Sequence, residues 1–412
     1  MIQRIVAIGF IFASMTIAWI ILGQTVRFRT HEQDAKLKNA VGQLWGAAQI
    51  QRAPTVYWTA WNFVQHIEDG QSIKRTVEEV RIIPLQSSRL DVDLQLEHRR
   101  KGLLWYATYT VAFTGTFTVA NETDQTLETR LDFPLPDPQA VYDDFSVVID
   151  GENVSAPAIV SGHLVQPIPL PPGARRTVRI SYRSQGLDQW RYRFGDEVNQ
   201  VSDFALTMHT DFQAIDFPQH SMSPTRKEPL DDGWKLEWRY DHLLTGVDVG
   251  MSMPRRLNPG PWTSQVSFAA PISLFLFFFL LFLFCTVRGI GIHPMNYLFV
   301  GAAFFSFHLL LAYLVDHISI HLAIAICSAV SIFLVISYMR LVVGLRLALV
   351  EVGLAQLIYL VLFSYTFFFE GYTGLAIALL CIVTLFAAMQ FTGRLDWGAA
   401  FRPETSSAHG RI

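Results

Sequence analysis

Between about positions 266 and 392 the chain is almost free of charge: Arg288, Asp316, Arg340, Arg346, Glu351 and Glu370 are the only Lys, Arg, Asp or Glu in it. A run so long and apolar has few ways to fold. Inside a bilayer no water satisfies backbone N–H and C=O groups, so helices must satisfy them internally. The sparse polar residues divide the run into five expected spans, at about 266–287, 295–315, 318–339, 347–369 and 371–390. Each is long enough to cross a hydrocarbon core of about 30 Å.

Composition supports this division. The chain has 412 residues, 51% hydrophobic and 16% charged, against roughly 25% charged in soluble proteins. The deficit is uneven, because positions from about 24 to 265 have ordinary soluble composition. A second uncharged run, 5–22, follows Arg4 and precedes Arg27 and Arg29. It is longer than a signal-peptide core, and Ile20, Ile21 and Leu22 are poor cleavage positions. It reads as a retained anchor. The resulting division is an anchor at 1–23, a membrane-proximal helix at 24–52, an external β-rich domain at 53–262, a five-helix block at 263–393 and a cytoplasmic tail at 394–412. The fold class expected is a membrane α-helical bundle of about six spans plus a large external, mainly-β, sandwich-like domain.

Within the soluble part, Leu37, Val41, Leu44 and Ala48 recur at helical spacing, so an amphipathic helix is expected to pack on the domain. From Leu104 to Ala120 the pattern changes to a period of two. Trp105, Tyr109, Val111, Phe113, Phe117 and Val119 share one face, and Tyr106, Thr108, Thr110, Thr114, Thr116 and Thr118 the other. This is one long strand, or two joined at Gly115. Asn121-Glu122-Thr123 and Asn153-Val154-Ser155 match glycosylation acceptors but read as turns, and Asp150-Gly151 is a hairpin signal. Further strands are expected at 147–149, 178–183, 190–194, 201–209 and 234–240. They suit antiparallel sheets forming one or two sandwich-like units. The arginines alternating through 175–193 read as a solvated strand face. Breakers at Pro254, Pro259, Gly260 and Pro261 suggest a link to the membrane, with Trp262 as an interfacial aromatic.

Orientation follows from the short loops. With the N-terminus in the cytoplasm, Arg288, Arg340, Arg346 and Arg394 fall inside and Asp316 and Glu370 outside. Each short internal loop then carries arginine and no short external loop carries Lys or Arg, as the positive-inside rule requires. Both termini are expected in the cytoplasm. The net charge of −3 and the absence of a Lys/Arg block give no reason to expect nucleic acid. Cys285, Cys327 and Cys381 all lie in apolar spans, so the soluble part has no disulfide to lean on.

Several segments resemble the CreD family of bacterial inner-membrane proteins. They are HPMNYLFVG at 293–301, FHLLLAYLVDH at 307–317 and TGRLDW at 392–397. In QLWGAAQIQRAP, Trp45-Gly46, Gln49 and Pro54 resemble the family's WG-x-x-Q-x-x-x-G-P segment, with Ala53 where that family usually has Gly. EHRRKGLLWY at 97–106 resembles its Arg/Gly turn into a long strand. The resemblance implies a bacterial inner-membrane location, a link to envelope integrity, and a two-component regulon of stress and β-lactam response. It implies no catalytic residue and no cofactor.

The residues themselves suggest no enzyme. There is no Gly-x-Ser-x-Gly around Ser221 or Ser223, no phosphate loop, no Cys-x-x-Cys and no HExxH. No catalytic, cofactor-binding or metal-ligating residue is assigned. Five residues remain as weak candidates for a polar functional site: Asp316, His317, His321, Glu351 and His308. A helix starting near Ile318 sets His317 and His321 one turn apart, a spacing metals use. The plainer reading is a polar helix start, with Asp316 on the helix dipole. Glu351 is a costly intramembrane carboxylate whose expected partner is Arg346 or Arg340. His308 calls for a partner such as Ser306, Tyr313 or Tyr338. The function expected is a non-enzymatic envelope protein whose external domain binds another envelope protein or a cell-wall component, with the lipid bilayer as the other partner. The alternative is a small transporter or lipid-handling protein using the intramembrane His and Glu.

Overall fold

A computed structural model describes residues 2–68, 71–102, 104–369 and 371–393, with side chains for all of these except 2 and 62–77. Glu370, Arg394, most of TGRLDW and the expected tail lie outside the described residues. The chain forms two units: one takes residues up to Asp34 and from Leu257 onward, the other is Ala35–Arg256.

The first unit is helical. It contains the apolar part of α1 (Ile2–Trp45), then α2 (Pro259–Val287), α3 (Pro294–Leu314), α4 (Ile320–Val343), α5 (Leu345–Phe368) and α6 (Thr373–Thr392). All six are long and apolar enough to cross a membrane. The expected spans are present, with ends shifted by local chemistry. Pro259 and Pro261 open α2, because proline suits a first helical turn, where the N–H is unpaired in any case. Of the stretch read as a link only 253–258 lacks regular structure, the helix takes it from Pro259 onward, and Trp262 is a core residue, 1% exposed and stacked on Phe368 with ring centroids 4.8 Å apart. Gly344, at φ 87°, separates α4 from α5. α5 departs from regular pitch at Ala348–Val352 and Leu357–Leu362, two wide π-type stretches.

Lipid gives helices no hydrophobic reason to associate, so packing and small polar contacts join them. Ser264 Oγ donates to Gly23 O at 3.0 Å, joining α2 to α1. Ser331 Oγ donates to Ala303 O at 2.7 Å, and Gln356 Nε2 to Ser331 Oγ at 2.9 Å, linking α3, α4 and α5. Ser273 Oγ donates to Tyr359 O, and the Tyr359 hydroxyl meets Thr384 Oγ1 at 2.6 Å, so α2, α5 and α6 are joined as well.

The second unit is mainly β. In chain order its strands are β1 (Gln49–Arg52), β2 (Thr55–Glu68), β3 (Gln71–Ile83), β4 (Ser87–Lys101), β5 (Leu104–Ala120), β6 (Leu127–Pro134), β7 (Tyr142–Ile149) and β8 (Glu152–Asn153). Then come β9 (Ile159–Val160), β10 (His163–Leu170), β11 (Arg175–Leu187), β12 (Gln189–Arg193), β13 (Asn199–Thr210), β14 (Arg226–Pro229), β15 (Trp234–Thr245) and β16 (Val249–Ser252). They form sheets of order β1-β12-β16, β3-β2-β6-β10-β9 and β14-β15-β13-β4-β5-β11-β7-β8. The sheets are antiparallel except at β1–β12 and β4–β13, where long connections let the strands pair in parallel. All three sheets contribute to one core, including Leu131 and Phe133, Phe113 and Trp238, and Trp190 and Met251. Asp150 (φ 50°) and Gly151 (φ 91°) make the expected hairpin turn between β7 and β8.

The expected long strand is the single β5, and Gly115 lies within it, paired with both Leu90 and Ile180. Its alternation holds from Tyr109 onward, but Tyr106 and Thr108, assigned to the open face, are buried. Tyr106 sits with Leu104 and Leu187 in a small core completed by Leu37 and Val41 of α1. The amphipathic segment thus packs on the β domain as its spacing suggested, although the helix is continuous with the anchor, ends at Trp45 and leaves Leu44 exposed. Gly46, at φ 88°, ends it, and a Cβ there would collide with Gln185 O. Ala53 is not among the positive-φ residues and donates its N–H to Arg193 O at 2.9 Å, so this turn does not require glycine.

Asn121 is no glycosylation site but a buried staple, 2% exposed. Its Nδ2 donates to Gln125 O, Leu170 O and Pro171 O, and its Oδ1 accepts from Thr123 N and Oγ1. Asn121→Ala strips several buried partners at once. It is expected to destabilise the β unit by on the order of 3 kcal/mol, read as a lower unfolding midpoint of the full-length protein in near-UV circular dichroism.

Candidate functional site

The structure gives each sequence-derived candidate a separate setting. Asp316 follows the end of α3 and pairs with Arg29 of α1 at 2.9 Å, its side chain only 13% exposed. Arg29 also donates to Ala312 O at 2.9 Å, and its guanidinium lies 5.6 Å from the centroid of the Tyr313 ring. The carboxylate therefore closes α1 onto α3 instead of capping α4. That helix begins at Ile320 after Ser319, whose backbone is extended. The later start also removes the expected one-turn spacing, since His317 lies in the preceding turn. His321 is exposed and stacks on Phe368 at 5.0 Å and Tyr365 at 6.2 Å. Among the described residues no group of three or more His, Cys, Asp or Glu gathers as metal ligands.

Glu351 has a different partner from the two expected. Arg288, just past α2, donates from Nη2 to Glu351 Oε1 at 3.0 Å. The same guanidinium covers the Phe284 ring at 4.5 Å. Glu351 Oε2 is buried without a partner. The pair lies at a cavity of about 440 Å³ bounded by α2, α5 and α6, whose walls include Leu281, Ile358, Tyr359, Leu380 and Thr384.

His308 is 1% exposed. Its contacts are not Ser306, Tyr313 or Tyr338: Ser306 donates to Ala303 O, and Tyr338 donates to Asn296 Oδ1. His308 Nδ1 instead faces Phe304 O of its own helix at 3.3 Å, and the ring meets Trp19 edge-on at 5.5 Å. With Nδ1–H donating to that carbonyl, Nε2 is the lone-pair nitrogen, and it has no partner. The three settings share no residue: His308 belongs with Trp19, Glu351 with Arg288, and His321 with Phe368.

Sequence reasoning missed the partners more than the candidates. Arg29, Arg288 and Trp19 become significant only once helices pair. Gln356 gave a readable signal, an amide inside an apolar run, and it is fully buried. In the β unit the WG-x-x-Q segment acquires a physical meaning. Gln49 Nε2 donates to Ser184 Oγ and Gln185 O, and the Tyr182 hydroxyl donates to Gln51 Oε1 at 2.7 Å. Burial pushes the Tyr182 and Tyr109 phenols well up and that of Tyr142 to about 12, so all three stay protonated donors. Asp188 pairs with Lys38 at 2.6 Å and Arg255 at 3.5 Å beside a polar cleft of about 1010 Å³. Asp93 on β4, paired in register with His209, is held above the usual carboxylate range by burial. Its sequence signal was the alternation Asp91, Asp93 on a strand. Of the alternating arginines, Arg176 pairs with Asp150, Arg183 with Asp143 and Asp144, and Arg191 and Arg193 with Asp248.

The His308 geometry separates packing from proton handling. His308→Phe keeps a ring against Trp19 and removes an unpartnered buried nitrogen. Its thermal stability in detergent is expected to stay within about 1 kcal/mol of the parent or rise. His308→Ala opens a cavity and is expected to cost about 2–4 kcal/mol.

Comparison with known proteins bears on the helical unit. Residues 267–398 match the family model described as "Inner membrane protein CreD". HPMNYLFVG, FHLLLAYLVDH and TGRLDW lie inside that match, and the segments near Trp45 and Gly102 lie outside it. No curated protein matches the chain in sequence. Among solved structures, a Legionella pneumophila protein described as a "putative nutrient binding protein" is similar at 12% identity and a TM-score of 0.31, covering 56% of this chain and 76% of that one. A likeness that low carries no argument about fold or ligand.

Proposed function

We propose, from the CreD match of residues 267–398 as premise, that this multi-pass membrane protein serves the integrity or stress response of the bacterial envelope without being an enzyme. In this reading the β unit is periplasmic and binds another envelope protein or a cell-wall component. The family match is the observation that carries it. The chain order adds support, because both ends of the β unit lead into membrane helices. The orientation rests on Arg288, Arg340 and Arg346 lying inside. Arg29, outside in this arrangement, is neutralised by Asp316. The separate contacts of His308, Glu351 and His321 give a transport path no support.

Two experiments test the reading. A cysteine placed at exposed Asp232 is expected to react with a membrane-impermeant maleimide in cells whose outer membrane alone has been permeabilised. Labelling only after inner-membrane lysis reverses the orientation. In a deletion strain challenged with a β-lactam, full-length protein and the His308→Phe and Glu351→Gln variants are expected to restore survival. A chain with Ala35–Arg256 replaced by a short linker is expected to fail. Rescue by that shortened chain, inserted at normal levels, removes the role given to the β unit.

A further inference from the structure

The cavity beside Arg288 has the polarity of an amphiphile. Its floor is apolar and buried, with Phe277 and Leu281 among its residues, and its rim is open, with Leu354 55%, Val383 61% and Phe391 62% exposed. One end carries the Arg288–Glu351 pair. The pair has no net charge but is incomplete on both sides. Arg288 is about half exposed at 49%, with guanidinium donors to spare beyond the one bond it makes to Glu351. Glu351 Oε2, on the other side, is an acceptor with no partner.

We propose that this groove is a binding site for one aminophospholipid, with an acyl chain along the apolar wall, its phosphate on Arg288 and its ammonium on Glu351. The dipolar head supplies what each member of the pair lacks: phosphate oxygens for the guanidinium and N–H donors for the orphaned carboxylate oxygen. An anionic head satisfies Arg288 but adds a negative charge beside Glu351, and any hydroxyl it offers Oε2 is a neutral donor where an ammonium is a charged one. A head with no charge gives Arg288 no anion. Guanidinium–phosphate contacts are among the stronger charge-assisted hydrogen bonds, and the groove's volume falls within the range of small-molecule sites. The site lies wholly in the helical unit, so it stands whether or not the β unit is periplasmic.

The test uses full-length protein in nanodiscs holding equal phosphatidylethanolamine and phosphatidylglycerol, with retained lipid counted by native mass spectrometry after release. The wild type is expected to keep one phosphatidylethanolamine per copy, favoured over phosphatidylglycerol by about tenfold. Arg288→Gln is expected to reduce retention by about tenfold, and Arg288→Lys to keep most of it. Glu351→Gln, which loses the charge but not the size, is expected to erase the preference between the two lipids. Ala387→Trp fills the groove and is expected to expel both, whereas Ile382→Trp, exposed on the opposite face of α6 from the groove-lining residues, leaves retention unchanged. Equal retention of the two lipids by the wild type, or wild-type retention by Ala387→Trp, overturns the proposal. If Arg288→Gln does not fold, the Glu351→Gln and Ala387→Trp results decide.

Discussion

A carboxylate at the edge of an apolar helical bundle is tolerated when its counter-charge is built beside it, and the helical unit depends on that pairing. Desolvating a carboxylate or a guanidinium costs several kcal/mol, which only close, well-shaped pairing returns. Asp316 and Glu351, the two carboxylates described within the apolar block, each lie within 3 Å or so of an arginine. Each pair joins elements distant in sequence: Arg29 holds α1 to the end of α3, and Arg288 holds the end of α2 to the start of α5. The pairs fix which helix ends lie together, and the small polar contacts of Ser264, Ser331 and Ser273 set the packing between those ends.

The β unit meets its polar obligations differently. It has a large apolar core with three sheets feeding it, so its buried polar groups can be few and mostly paired, with Gln49 Oε1 and Trp190 Nε1 left without a partner. Asn121 uses both atoms of its amide to hold a turn, and Gln49 and Gln51 link β1 to neighbouring elements through Ser184, Gln185 and Tyr182. Arg176 and Arg183 of β11 and Arg191 and Arg193 of β12 bridge to acids on adjacent turns and strands.

Most of the architecture was legible from residue pattern, because hydropathy and the two periods of helix and strand act locally. The spans, the alternation of β5 and the hairpin at Asp150-Gly151 all come from such local signals. What escaped was pairwise. Tyr106 looked open because the sequence does not say that Leu37 and Val41 cover one end of β5. Trp262 looked interfacial because prolines suggested a linker, yet proline also begins helices. At the candidate residues, type and approximate depth were readable and partners were not. Arg346 is five residues from Glu351, yet Arg288, sixty-three positions away, makes the bond. His317 and His321 fell out of phase because α4 starts two residues later than the apolar pattern suggested.

The wide stretches of α5 set the phase of everything after them. Each accommodates, in effect, one residue more than regular pitch would hold, and a regular helix turns about 100° per residue. Glu351 lies in the first stretch and Tyr359 in the second, while Gln356 stands between them facing Ser331. Restoring even pitch through the first stretch with every residue kept would swing the far half of the helix by about a quarter turn. Tyr359 would then leave Thr384 while Glu351 kept Arg288. The irregular pitch works as a vernier, setting three polar side chains on one helix against three different neighbours.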